Sequence, residues 1–210
     1  MRARGRVGED AAMPTVVSHA LLGAAAFTCV ARGRRGARLG ATAAAALAAL
    51  PDADVLWWGL TTYGAPWGHR GMTHSLAAAV VLGGGAALLL RRRVAVPGGA
   101  LGLGLLLAVV TASHGALDAL TDGGRGIGFL LPFDERRFFA PARPIPVAPI
   151  GFDPLSPWLW RVLGAEALLL WPAAAALAWL RPPAVSWRNG LLALALAGSA
   201  IAWGVALGSL

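Results

Sequence analysis

Four histidines occur in 210 residues, and each stands beside another polar group at the border of an apolar stretch. His19 lies in T-V-V-S-H-A-L-L-G, His69 and His74 in G-H-R-G-M-T-H-S-L, and His114 in T-A-S-H-G-A-L-D-A-L-T-D. Imidazole titrates near neutral pH and ligates metals, so its placement at a water–apolar border marks candidate proton-transfer or metal chemistry. Carboxylates accompany it. His114 and Asp118 stand four apart, which places both on one face of a helix. Asp52 and Asp54 follow Pro51, where a helix end can aim two carboxylates at a common point. Imidazole with carboxylate and without thiolate suits zinc, manganese or iron(II) in a hydrolytic role. The single cysteine, Cys29, sits inside an apolar stretch, so a thiolate cluster and an intramolecular disulfide are both excluded. Arg70, next to His69, can grip an anion such as phosphate bidentately. Thr73, Ser75 and Thr121 can supply supporting hydrogen bonds.

Taken singly, each feature has an ordinary explanation. A lone interfacial histidine is commonly a satisfied helix-end residue, and paired aspartates after a proline are commonly solvated turn residues. An i, i+4 polar pair can be a local stabilising contact. His69 and His74 are five apart and do not share a helix face, so one of them belongs to a loop. The weight of the reading therefore rests on whether the elements bring these residues together.

Those elements are apolar. The chain is 57% hydrophobic and 13% charged, with a mean hydropathy of +0.64. That composition predicts an all-α, polytopic membrane helix bundle of five or six apolar helices rather than a soluble domain. Apolar stretches run at 14–31, 39–50, 74–90, 98–120, 158–180 and 188–209. At a rise of ~1.5 Å per residue, about 20 residues cross a ~30 Å hydrocarbon core. The last three stretches meet this easily, whereas the Ala-rich 39–50 is short enough to be a buried or partly inserted helix. The expected organisation is a basic arm at 1–13 and one membrane-embedded domain at 14–210. Within it, 14–140 carries the polar motifs and 158–210 forms a C-terminal helical hairpin. Arg2, Arg4 and Arg6 precede the first stretch like a signal peptide, but Arg32 to Arg38 follow it directly and the segment reads as retained.

The connections alternate in character. Those at 32–38, 91–93 and 181–188 are short and rich in arginine, while those at 51–70 and 121–157 are longer. The arginine loops fall on one side if every stretch crosses, and that side is cytoplasmic by the positive-inside rule; the N-terminal arginines oppose this assignment. The net charge of +8 thus reflects membrane orientation, and no nucleic-acid partner is expected. Trp57, Trp58, Trp67, Trp158, Trp160, Trp179 and Trp187 lie at stretch borders like an interfacial belt, and Trp171 and Trp203 are expected between helices. Seven prolines between 132 and 157 rule out regular helix and predict an ordered extended lid or a mobile loop on the outer face. Asp122, Asp134 and Glu135 read as loop residues, with Asp134 to Arg137 as a solvated charge cluster. Glu166 lies inside the fifth stretch, where a carboxylate is costly; it is either functional or a paired helix–helix contact. On this alternating topology His19, Asp52, Asp54, His69, His74, His114 and Asp118 all reach one membrane face, opposite the arginine loops.

At these residues the sequence resembles the YdjM-like family of membrane-bound, metal-dependent hydrolases. The matching elements are S-H-A-L-L-G at 18–23, L-P-D-A-D at 50–54, H-R-G-M-T-H-S-L at 69–76 and S-H-G-A-L-D-A-L-T at 113–121, with a downstream segment ending Leu-Pro-Phe at 133. The resemblance covers about residues 13–140 and extends to the C-terminal helices only in character. Through that family the chain looks distantly similar to zinc-dependent phospholipase C and the P1-type nucleases. The resemblance implies metal-ligand roles for His19, one aspartate of the 52/54 pair, His69 or His74, His114 and Asp118. It also implies phosphoester hydrolysis, with zinc as the first choice and manganese or iron as alternatives. No histidine follows His114, so a later H-x-x-x-E ligand pair is missing, and one or two ions are expected rather than a full three-metal cluster.

The expectation is a membrane-bound hydrolase of a phosphoester or lipid-linked substrate, set in the plasma or inner membrane with its site on the extracytoplasmic face. Asp52 or Asp54 is the candidate base and Arg70 the candidate stabiliser of developing negative charge. An ion- or proton-coupled transporter using the same cluster is the rival, and it predicts polar residues continuing toward the basic face. A third reading is a structural metal that staples helices without turnover.

Overall fold

The computed structural model describes residues 12–13, 15–31, 33–57, 59–149, 153–179 and 187–208. Residues 1–11 of the N-terminal arm, Trp58 and the arginine loop at 181–186 lie outside the described residues. Seven α-helices follow in chain order: α1 (Val16–Ala31), α2 (Ala37–Ala49), α3 (Leu76–Leu90), α4 (Gly99–Asp118), α5 (Pro157–Leu169), α6 (Trp171–Trp179) and α7 (Trp187–Gly208). Two 3-10 segments, Leu50–Trp57 and Met72–His74, carry the polar motifs between them. An antiparallel ladder joins β1 (Ala12–Met13) to β2 (Ala148–Pro149).

The first four helices form two antiparallel hairpins, α1 with α2 and α3 with α4, packed on one another through α2–α4 and α1–α4 contacts. Their shared core holds Phe27, Ala44, Leu47, Ala48, Leu103, Leu107 and Val110. Small residues let the backbones approach, as in membrane helix pairs generally. A Cβ on Gly83 would lie 2.3 Å from the Ala108 nitrogen, and one on Gly23 would lie 2.6 Å from Ala48 Cβ. A second cluster, Ile145, Leu169 and Leu170 with Trp171 and Trp203 packed against it, joins the C-terminal helices to this unit. Trp171 and Trp203 thus sit between helices, as their mid-stretch positions predict.

Among the described residues the chain is helical apart from the two-residue ladder and isolated bridges, but its spans differ from the expected five or six. Among the described residues, two helices are long and apolar enough to cross a membrane, Ala37–Trp57 and Gly99–Asp118. A third joins them if α5 and α6 count as one span, bent by 41°. The bend has a local cause. Pro172 lacks an N–H, and its ring clashes with the preceding turn, so the helix breaks at Leu170. The Ala-rich stretch is also stronger than its sequence suggests, because α2 runs on through the 3-10 segment to Trp57. The helices α1 and α3 are shorter apolar elements.

The two ends of the four-helix unit differ in chemistry. At one end the arginine loops touch: Ala95 N donates to Arg35 O at 2.9 Å, and Arg35 Nη2 donates to Arg92 O at 2.8 Å. At the other end lie the start of α1, the end of α2, the start of α3 and the end of α4. The proline-rich segment covers that end as an ordered lid. It is bridged at Ile127–Phe138 and Thr121–Ile145, and Ala140 N donates to Ala119 O at 2.9 Å.

Candidate metal centre

Four helix ends bring the sequence-predicted residues together. His19 comes from α1, Asp52 and Asp54 from the 3-10 segment after α2, His74 from the turn that starts α3, and His114 and Asp118 from the last turn of α4. All are buried, as are His69 and Arg70. The tight 3-10 winding after Pro51 turns Asp52 and Asp54 toward the bundle end, where a continued α-helix would carry them away.

The centre is a quartet. His74 Nε2 lies 3.6 Å from Asp52 Oδ1 and 3.5 Å from Asp118 Oδ2. His114 Nε2 lies 3.1 Å from the same Asp52 oxygen and 3.9 Å from the same Asp118 oxygen. His19 joins at the edge, with Nε2 at 3.4 Å from Asp118 Oδ1 and its ring stacked on His114 at 3.8 Å between centroids. Asp54, His69 and His74 make a neighbouring group that shares His74.

Hydrogen bonds fix which imidazole nitrogens face inward. His114 Nδ1 lies 2.6 Å from the Ala48 carbonyl, which can only accept, so Nδ1 carries the proton and Nε2 offers a lone pair to the quartet. His74 is set by a relay. Thr73 Oγ1 donates to Asp54 Oδ2 at 3.0 Å, which leaves its oxygen to accept from His74 Nδ1 at 2.9 Å and turns His74 Nε2 inward as an acceptor. Asp54 Oδ1 takes His69 Nδ1 at 2.6 Å, and Oδ2 also takes Arg70 N at 3.2 Å. The two aspartates therefore differ. Asp52 faces the quartet, while Asp54 orients His69, Arg70 and, through Thr73, His74.

Arg70 has a left-handed backbone, φ 61°, which is uncommon for a residue with a side chain. Its guanidinium is buried with Nε at 3.1 Å from Asp118 Oδ2, and it donates to Gly123 O at 2.8 Å and Thr121 Oγ1 at 3.0 Å. Gly124 makes room for it, since a Cβ there would lie 2.5 Å from Nη1. Thr121 thus supports the site, as its spacing suggests. Ser75 instead caps α3, accepting from Ala78 N at 3.0 Å.

Three buried aspartates against one arginine leave two negative charges in excess when the imidazoles are neutral. Asp52 Oδ2, both Asp118 oxygens, both His19 nitrogens and His74 Nε2 are buried without a hydrogen-bond partner. Buried groups in that condition are costly unless a cation or proton satisfies them. The same demand appears in His74. Burial alone lowers its pKa, but the Asp118 and Asp52 carboxylates beside Nε2 and the charges of Asp118 and Asp54 outweigh it and raise the pKa to about 9, so without a cation a proton on Nε2 stands in its place. The donor set also fits a small divalent ion. Ligand bonds of ~2.0–2.2 Å at tetrahedral angles place neighbouring donor atoms ~3.3–3.6 Å apart, and the quartet's measured nitrogen–oxygen separations run from 3.1 to 3.9 Å.

Sequence reasoning missed two residues. Arg137, expected in a solvated cluster, is half-buried and donates to the carbonyls of His69, Gly126, Tyr63 and Ala65 at 3.1 to 3.3 Å, which pins the lid to the loop before His69. Asp134 and Arg136 do form the exposed pair expected of that cluster. Tyr63 sets its ring edge-on to His69 at 5.5 Å, and burial pushes its phenol pKa up. Neither belongs to a motif, and only the fold brings them to the site.

These features define a helical membrane protein with a buried His/Asp centre suited to a metal ion. Residues 13–207 match the family described as YdjM inner membrane protein. The inner membrane protein YbcI of Escherichia coli (strain K12) is 37% identical over 169 residues, covering 76% of this chain and 91% of that protein. The chain belongs to the YdjM family. No solved structure matches it.

Proposed function

We propose that this protein is a metal-dependent hydrolase of phosphoesters, including lipid-linked ones, held in the inner membrane with its centre at the extracytoplasmic interface. The observation that carries the reading is the quartet Asp52, His74, His114 and Asp118, whose ligand atoms lie within 4.8 Å of one another while several lack a hydrogen-bond partner. These four would hold the ion, with His19 at the edge; zinc is the first choice and manganese or iron(II) the alternatives. A cation there would supply Lewis acidity and an activated water. His69, oriented by Asp54, is the group placed to accept or return a proton beside the quartet. Arg70 pairs with Asp118 and limits the negative charge facing an anionic substrate.

In this reading α1 and α3, which run between the arginine-loop end and the cluster end beside α2 and α4, are embedded with them. With the arginines inside, the cluster faces out.

Complete burial favours a second reading, a structural metal that staples four helix ends. The transporter reading finds less support, because Glu166 bonds Thr15 and Ser18 at the cluster end rather than continuing toward the arginine loops. Purified protein is expected to carry stoichiometric divalent metal and to hydrolyse a phosphomonoester, releasing phosphate, or a phosphodiester or phospholipid, releasing an alcohol and a phosphomonoester. Metal-free wild-type protein sinks both metal readings, and loaded protein without turnover on any phosphoester leaves the staple.

A further inference from the structure

Glu166 is a buried carboxylate on α5 that the quartet does not use. It accepts from Thr15 N at 2.7 Å, from Thr15 Oγ1 and from Ser18 Oγ. Thr15 immediately precedes α1, and its carbonyl accepts Ser18 N at 3.0 Å and His19 N at 3.5 Å, so these donors form the first turn of α1. Ser18 Oγ is fixed from a second side as well, because Trp171 Nε1 of α6 donates to it at 3.0 Å. One carboxylate therefore bolts the start of α1 to the C-terminal helices.

The next residue is His19. Neither of its ring nitrogens has a hydrogen-bond partner, whereas His114 and His74 each have Nδ1 held, by Ala48 O and Thr73 respectively. Metal-binding histidines ordinarily use the second nitrogen to set ring orientation. His19 has only its stack on His114 and the position of its backbone. That position is set by the turn that Glu166 grips.

We propose that Glu166 is a positioning residue for His19. By anchoring the Thr15–Ser18 turn to α5, it sets the approach of the His19 imidazole to Asp118 and His114, and with it the centre's affinity for a divalent cation. The inference rests on the metal-centre reading above. It gives α5 and α6, which carry no ligand, a part in building the site.

The test titrates the full chain in detergent with cobalt(II), followed by visible absorption, and with zinc in competition. Glu166→Gln keeps the shape but turns an N–H₂ toward donors. It is expected to weaken cobalt binding by about 10- to 100-fold, the usual effect of losing a group that orients a ligand, and to change the visible spectrum. In a His19→Ala background the same substitution is expected to cause no further loss, the signature of action through His19. Ser18→Ala, which removes one donor, gives a smaller shift that also vanishes in that background, and it serves as the variant if Glu166→Gln does not fold. Unchanged affinity and spectrum, or an equal loss with and without His19, overturns the inference while leaving the metal centre standing. Wild-type protein that binds neither cobalt nor zinc overturns the centre and this inference together.

Discussion

Two buried carboxylate sites sit one residue apart along α1, and they are satisfied in opposite ways. At the seam with α5, the Glu166 carboxylate takes three donors from Thr15 and Ser18. At the quartet, Asp52 Oδ2 and both Asp118 oxygens have no hydrogen-bond partner, and the ring nitrogens beside these carboxylates belong to imidazoles that can offer lone pairs to an ion. Burial is common to both, so burial alone does not mark a metal site. What separates them is where the donors come from. A structural carboxylate is surrounded by N–H and O–H groups, whereas a cation site is surrounded by acceptors.

Breaking the quartet has the largest expected effect. His114→Ala with Asp118→Ala is expected to abolish metal binding, measured as metal content after dialysis, while Glu166→Gln protein still fills at saturating metal. Equal metal content in wild type and the double variant would show that the acceptors have another purpose. Removing the cation tests the same contrast in the wild type. Metal at 100 times its Kd is expected to stabilise the fold by about 2.7 kcal/mol, lost on chelation and read as a lower Tm. A Tm indifferent to chelation contradicts the charge argument. Asp54→Asn, which breaks the relay to His74 and the bond to His69, is expected to cost about 10- to 100-fold in metal affinity without abolishing binding. A loss as complete as that from the quartet variant would make Asp54 a ligand. The smallest effect is expected from Arg136→Ala. Its partner Asp134 lies in the exposed charge cluster, and neither Tm nor metal affinity should move.

The convergence of the centre was legible because its residues sit at alternating helix ends, and hairpin topology brings those ends together. Which aspartate faces the quartet was not legible. Asp52 and Asp54 are two apart in a segment that winds as 3-10 helix, and their division of labour depends on Thr73 and on the Ala48 carbonyl. A backbone acceptor leaves no mark in a sequence. The membrane class was plain from composition, but the count of long spans was not, because Pro172 divides one apolar stretch and a 3-10 turn extends another. Arg137 read as a surface charge because three of its four acceptors are carbonyls of a loop about seventy residues earlier.

That guanidinium also bears on time. The quartet lies beneath the lid, with its side chains at most 4% exposed, and Arg137 ties the lid to four carbonyls. Opening that cover has to break those bonds together. A cation held in the quartet would then load and leave more slowly than at an open site of the same affinity, so metal exchange is expected to take longer than the affinity alone implies.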